Sequence, residues 1–386
     1  MHVLILPSWY PRFDGDAEGS FFQDQAQALA SRGLQVGVVF ADLRGPGRYF
    51  RLGQKSGLTV RADGLLNEVR SHGFNWFSRN AAGYRALWGW HARRAFDVYC
   101  ERFGKPDIIH VHSMEPAAHF AAQVKARYGI PFVTTEHSSY HLVASGRAAA
   151  GSRYPHLVAA SSANLAVSKQ FADTLNAIYG GHWSFLPNIV SKRFLAHPLI
   201  GSPDGQIRLI SVALLSRQKR MDLVIGAVAV LRRRGRDAAL TIIGDGAQRS
   251  VLEKLVDDLD LRAHVAFAGR VASTAMPAEM AKGNLLVSAS ERETFGVTLV
   301  EAMALGMPVV ATRSGGPESI VTSDVGRLAA DWSAEAIADS IEEIVTSADG
   351  FRPAAIRANC VSRFSAAVIS EALDALYSRV VSHAAR

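Results

Sequence analysis

Two carboxylates eight residues apart, Glu293 and Glu301, bracket a run of backbone amides at the start of an apparent helix. Eight residues on one helix is about 80° off a whole number of turns, so two helical acids at this spacing would not share a face. They converge if Glu293 lies in the loop at the helix mouth and Glu301 lies one to two turns in. The N–H groups of Phe295, Gly296, Val297 and Thr298 then point out of the helix start, where partial positive charge suits a phosphate. A diphosphate cradle with a hydroxyl-binding carboxylate on either side fits a nucleotide-sugar. An ordinary strand–turn–helix with surface acids would share the spacing.

A second set of chemistry-bearing residues lies in the first half. Pro106 to Ser113 reads as a strand ending in His110-Val111-His112, and alternation puts both imidazoles on one face. Pro131 to Thr135 is a further strand running out into Glu136-His137-Ser138, and His141 follows. A zinc site from His110, His112, His137 and His141 lacks a supporting thiolate or acidic ligand pattern. The preferred reading places these side chains at the carboxyl ends of strands, where doubly wound sheets bind ligands. Asp14-Gly15-Asp16 spells DxD, a pattern that can hold a divalent ion, but its place in the first loop suits polar turn residues.

The elements that must hold these residues are legible. Leu285 to Val287 form a short apolar strand, a helix runs from about Gly296 to Leu305, and Gly306 and Pro308 stop it. Gly315-Gly316 turn into another helix, with Pro317 in its first turn. At the other end, strand His2–Leu6, loop Pro7–Gly19, helix Ser20–Ser31 and strand Leu34–Phe40 open a doubly wound sheet. The loop has no GxGxxG, which speaks against nicotinamide. The second half repeats the rhythm: strand Ile207–Leu214, helix Met221–Arg234, strand Ala239–Ile243, helix Ala247–Leu259 and strand Val265–Ala268.

The stretch Glu293 to Gly316, with Ala302-Met303-Ala304, Gly306, Pro308-Val309-Val310-Ala311 and the double glycine, resembles the signature of the family 4 glycosyltransferases. These are retaining, metal-independent enzymes of the GT-B fold. The resemblance extends over nearly the whole chain: PSWYP with Gly15 and Gly19, the strand ending HxH, the Glu136-His137-Ser138 segment, and Leu186-Pro187-Asn188 leading out of the first half. It implies that Glu293 binds donor-sugar hydroxyls, that Phe295 to Thr298 hold the diphosphate, and that Glu301 binds the ribose. It implies His137 at the reaction centre, His112 and Glu136 in the acceptor cleft, and Gly19 facing phosphate. Lys219 matches the family's diphosphate-neutralising lysine. Ala213 and Leu214 replace its usual Gly and Arg, and Arg217 is assigned the missing cation. Arg270-Val271, after Gly269, resemble the segment whose backbone reads the base.

The expected architecture is therefore α/β, GT-B, with two Rossmann-like doubly wound domains facing a cleft. An acceptor-binding domain spans 1–190 and a nucleotide-sugar domain 191–364, with residues 365–386 returning to the first. The expected reaction moves a sugar, a hexose by class, from a UDP- or GDP-sugar to a hydroxyl of a glycan or lipid-linked glycan, without a cofactor. The opening pattern is similar to enzymes of bacterial exopolysaccharide and cell-wall glycan assembly. Another GT-B enzyme, such as a nucleotide-sugar epimerase or phosphorylase, and a non-catalytic nucleotide-binding protein remain alternatives.

Length and composition agree with two full cores: 386 residues, 48% apolar and 20% charged. No apolar run is long enough to cross a membrane, and the first residues lack a basic leader. Cys100 and Cys360 suggest no disulfide framework. The net charge of +7 shows no basic, aromatic nucleic-acid module, so an anionic substrate or membrane surface is expected instead. Residues Phe74 to Phe103 read as helical, aromatic and basic. That pattern fits a core-packed helix pair or a surface touching the inner face of a membrane from the cytoplasm.

Overall fold

A computed structural model describes residues 1–13, 15–16, 18–45, 56–62, 64–77, 80–144, 154–200, 206–347 and 350–384. Asp14, Arg79 and the loop 201–205 lie outside the described residues. The chain forms two compact units. The first comprises Met1–Val167, Ala172–Pro187 and Ala366–Arg386, and the second Ser168–Phe171 and Asn188–Ser365.

The first unit is built on β1 (His2–Pro7), β2 (Gln35–Arg44), β3 (Gly57–Ala62), β4 (Leu66–Phe74), β5 (Ile108–His112), β6 (Phe132–Glu136), β7 (Ala163–Ala166) and β8 (Trp183–Phe185). They form one eight-stranded sheet in the order β3-β4-β2-β1-β5-β6-β7-β8. Only β3 runs antiparallel, at the edge, against β4. Strands β1, β5 and β6 are buried along their whole length, as a parallel sheet covered on both faces requires. Helix Ser20–Ser31 lays Phe22, Ala26 and Leu29 into a core shared with Val3, Ile5, Val36 and Val38. The last helix, Ala366–Ala384, adds Ile369, Leu373 and Tyr377 to the same core.

The stretch 74–103 divides differently from its sequence pattern. Strand β4 runs through Phe74, paired with Arg44 of β2, and the helix begins only at Ala81. The Asn80 side chain caps it by accepting from the amides of Ala82 and Gly83. This single helix, Ala81–Phe103, buries Trp88, His91, Ala92, Phe96 and Tyr99. Tyr99 lies so close to β2 that a Cβ on Gly37 would meet its hydroxyl at 1.9 Å.

The second unit carries β9 (Ile207–Val212), β10 (Ala238–Ile243), β11 (Val265–Gly269), β12 (Leu285–Ser288), β13 (Val309–Ala311) and β14 (Gly326–Leu328). All pair in parallel, in the order β11-β10-β9-β12-β13-β14. This is the 3-2-1-4-5-6 order of a dinucleotide-type sheet. The helix expected after Gly315-Gly316 is a three-residue 3-10 turn, Pro317–Ser319. Gly316 stands at its start, with its amide tied to the Glu293 carbonyl at 2.7 Å.

In each sheet the strand order reverses once, between β1 and β5 and between β9 and β12. Ligands of doubly wound sheets bind outside the carboxyl ends of strands at that switch point. The candidate residues lie at these two places.

Candidate active site

In the second unit, the loops after β9 and β12 are laced together. The Glu291 amide donates to the Gln218 carbonyl at 2.9 Å, and Gln218 Nε2 donates to the Arg292 carbonyl at 3.3 Å. Lys219 Nζ donates to Glu293 Oε2 at 2.7 Å, with both side chains about a quarter exposed. The β12 loop is braced from its other side by the double glycine. The Glu293 amide donates to the Ser314 carbonyl at 3.0 Å, and Glu293 pairs with Gly315 as an isolated parallel bridge. A Cβ on Gly316 would sit 2.3 Å from the Phe295 carbonyl oxygen, so only glycine permits this approach.

Gly296, at φ +105°, turns the chain into helix Val297–Ala304. The amides of Val297 and Thr298 stand in its first turn, where no intrahelical carbonyl can reach them. Glu301 stands half-buried one turn further in. Phe295 offers only its backbone, because its ring is buried against Phe364 at 5.8 Å. The structure thus brings together Glu293, Phe295 to Thr298, Glu301 and Lys219.

Arg217 is placed elsewhere. It is exposed and lines a groove of about 590 Å³ with Arg220, Lys254, Asp258 and Glu291, beneath helix Arg249–Asp258. Arg220, which the sequence reading passed over, adopts a left-handed backbone at φ +45°. Its guanidinium donates to Asp222 at 2.9 Å and to Glu291 at 3.4 Å, holding the loop that carries Lys219. The signal in the sequence was the charge pattern Lys219-Arg220-Met221-Asp222 opening a helix. Arg270 is exposed and Val271 half-buried just past β11.

In the first unit, the ends of β5 and β6 carry a buried cluster. His110 is fixed by Tyr377 Oη at 2.6 Å and Thr135 Oγ1 at 2.7 Å. Burial lowers its pKa to about 3, with the neighbouring His137 adding to the effect. His112 Nδ1 meets His137 Nε2 at 3.1 Å. Glu136 is fully buried and accepts from the amides of Met114, His137 and Ser138 at 2.8 to 2.9 Å, with His141 Nε2 at 3.3 Å. Burial alone would raise its pKa, but the facing His141 and the amides hold it down to about 2. Glu136 therefore positions the His137 loop, with its oxygens already committed. His141 also bonds Tyr179 Oη at 2.8 Å, so His110 and His141 are each engaged away from a shared centre. Among the described residues, no group of three or more His, Cys, Asp or Glu is arranged to hold a metal ion.

Beside this cluster lies a cavity of about 330 Å³ walled by Trp9, Tyr84, Tyr140 and Tyr154, with Arg85 and Glu115 among its polar groups. Gly19, at φ +79°, starts the adjoining helix, and a Cβ there would press on Trp9, Tyr10 and Phe22 at 3.2 to 3.3 Å.

Two parallel doubly wound sheets with these switch-point loops define the GT-B architecture. The same fold appears in sucrose-phosphate synthase from Thermosynechococcus elongatus, at TM-score 0.77 and 18% identity over 99% of this chain and 100% of that one. It appears again in Anabaena HepE in complex with UDP and glucose, at TM-score 0.70 and 18% identity over 98% and 100%. Residues 19–192 match the family described as Glycosyltransferase Family 4, and residues 195–359 match Glycosyl transferases group 1. A D-inositol 3-phosphate glycosyltransferase of Pseudarthrobacter chlorophenolicus is 30% identical over 312 residues, covering 72% of this chain and 73% of that protein. The GDP-mannose-dependent alpha-(1-6)-phosphatidylinositol monomannoside mannosyltransferase of Mycobacterium tuberculosis is 33% identical over 150 residues, and this match spans 39% of its length and 36% of this chain. The chain belongs to the family 4 glycosyltransferases.

Proposed function

We propose that this protein transfers a hexose from a UDP- or GDP-sugar to a hydroxyl of a glycan or lipid-linked acceptor, with retention and without a metal. The observation that carries the reading is the Lys219–Glu293 pair at the mouth of helix Val297–Ala304. Lys219 and the first-turn amides would stabilise the diphosphate as it leaves, and Glu293 would turn from Lys219 to the donor-sugar hydroxyls. Glu301 would take the ribose, and the backbone at Arg270-Val271 the base. His137, the aromatic cavity and Gly19 would serve the acceptor side. The relatives' names, among them a GDP-mannose-dependent mannosyltransferase and a D-inositol 3-phosphate glycosyltransferase, support a nucleotide-sugar donor and a polyol or glycolipid acceptor.

Retention calls either for a carboxylate nucleophile or for same-face attack. The Glu136 oxygens are occupied by three amides and His141, which favours same-face attack with a diphosphate oxygen taking the acceptor proton. Trapping a covalent sugar–protein adduct would sink this mechanism. Contact with a membrane surface is a further part of the proposal. Trp76, Phe77 and Trp90 are 74%, 41% and 55% exposed, and Arg94 lies over Trp90 at 5.3 Å. No helix of the described residues is long and apolar enough to cross a membrane. Cosedimentation with anionic vesicles, lost on replacing Trp76 and Trp90 by serine, tests that contact.

The deciding experiment is thermal shift with UDP, GDP, ADP and NADH, each with and without EDTA. A ligand at 100 times its Kd stabilises by about 2.7 kcal/mol. Stabilisation by one nucleoside diphosphate, unaffected by EDTA, is expected. Stabilisation abolished by EDTA overturns metal independence, and stabilisation by NADH alone overturns the donor class.

A further inference from the structure

The aromatic cavity of the first unit holds two opposite charges that meet without a hydrogen bond. Helix Ala81–Phe103 carries Arg85 into its wall, and Glu115 enters it just past the end of β5. Arg85 Nη1 and Glu115 Oε1 stand 3.6 Å apart, too far for a hydrogen bond, and the two side chains are 28% and 31% exposed. The other carboxylate oxygen, Oε2, is met by His119 Nε2 at 3.3 Å, one helical turn further on. The phenols of Tyr84 and Tyr154 stand near the same carboxylate. Burial first, and Glu115 second, raise the pKa of both, so both hydroxyls stay protonated.

The rest of the wall decides what such a pair can read. Trp9, Tyr84, Tyr140 and Tyr154 supply flat apolar surface, and a sugar or cyclitol ring has a C–H face to lay against it. The volume of about 330 Å³ suits one ring and not a run of them. The rim of that ring is hydroxyls, each able to donate and accept at once, whereas a guanidinium only donates and a carboxylate only accepts. One hydroxyl, or two on neighbouring carbons, can therefore stand between Arg85 and Glu115, accept from the first, donate to the second, and leave the charges matched. An ionised acid group cannot. It accepts from Arg85, has no proton for Glu115, and faces that carboxylate as a like charge. Among the described residues of the wall no second cation compensates, because His141 is already set against Glu136 at 3.3 Å.

We infer that Arg85 and Glu115 are specificity-determining residues of the acceptor cavity, and that together they select a neutral polyhydroxyl ring over an anionic one. That the bound ring is the acceptor rests on the glycosyl-transfer reading. The preference of the cavity for an uncharged ring does not, since binding alone reports it.

The test is ligand-observed NMR titration of the full chain with matched rings that differ by one charged group: methyl α-glucoside against methyl α-glucuronide, and myo-inositol against its monophosphate. In each pair the neutral ring should bind at least about tenfold more tightly, because like charges brought together are costly. Glu115→Gln keeps the shape of the side chain and removes its charge, and should shrink that ratio about tenfold. Arg85→Gln should weaken the neutral ring about ten- to a hundredfold, as for loss of a hydrogen bond from a charged donor. Both variants should still show the nucleotide-induced thermal shift, which reports that they fold. Tighter binding of the anionic ring by the wild-type chain, a ratio unchanged in Glu115→Gln, or no binding of either ring overturns the inference. If no nucleoside diphosphate shifts the melting temperature while the ring preference and its dependence on Glu115 hold, the glycosyl-transfer reading fails and this one stands. A nucleotide shift without the ring preference fails this one alone.

Discussion

The histidine cluster of the first unit and the Lys219–Glu293 pair of the second solve opposite problems. His110, His112 and Glu136 are at most fully enclosed side chains, fixed by neutral rings, hydroxyls and backbone amides. Lys219 and Glu293 remain partly in water and satisfy one another. The buried group is arranged before any ligand arrives, because moving any member would strand a polar atom at a cost of about 1–3 kcal/mol. The second pair, about a quarter exposed, keeps contact with water, so it is cheaper to open than the enclosed group and can exchange partners when a diphosphate and a sugar enter. One region holds geometry and the other holds exchangeable charge.

That contrast is sharpest in Glu293→Ala. Transfer should fall more than about a hundredfold, as for loss of a group that grips the reacting sugar, while unfolding free energy shifts by no more than about 1 kcal/mol. Initial rates beside a denaturant melt check it, and unaltered transfer would break the assignment of the site.

Acid should act on the buried region first. Glu136 and His110 both have folded-state pKa values below their ordinary ones, about 2 against 4.5 and about 3 against 6.5. Such groups contribute stability that is fully present above the ordinary value and is lost as pH falls towards the folded one. The loss should therefore begin below about pH 6.5 with the imidazoles and add on the order of 3 kcal/mol from Glu136 between pH 4.5 and 2. In the second unit the lowered carboxylates are the exposed Asp324 and the partly buried Glu342, whose arginine partners lie at the surface. Hydrogen exchange should show β1 and β5 losing protection before β9 and β12. The reverse order would break the comparison.

The smallest effect concerns Arg220. Arg220→Gly suits the left-handed backbone and should be about 1 kcal/mol more stable than Arg220→Ala, which loses the same ion pairs but keeps the strain. Equal melting temperatures for the two variants would show that the φ of +45° carries no cost.

Much of the second unit's site was legible because its signals are local. Gly296, Gly306 and Pro308 bound the helix between them, and the spacing from Glu293 to Glu301 only makes sense with one acid in the loop. Where the Arg217 side chain lies was not legible, because sequence adjacency to Lys219 does not say which way a 3-10 turn points a side chain. In the stretch 74–103 the helical reading holds from Ala81 onward, and what the sequence did not show is that Phe74 ends β4, paired in register with Arg44 of β2, which no local pattern announces.

By itself, then, the sequence determined the alternating strands and helices, the caps and glycine turns, and the residue types gathered at strand ends. These depend on backbone preferences within a few residues. The tertiary structure alone decided that Tyr377 reaches across 267 residues to hold His110, that His112 Nε2 has no partner, and that Gly316 lies against the Phe295 backbone. Such facts come from the packing of distant segments, where burial sets the cost of every unmatched polar atom and spacing along the chain carries no information about it.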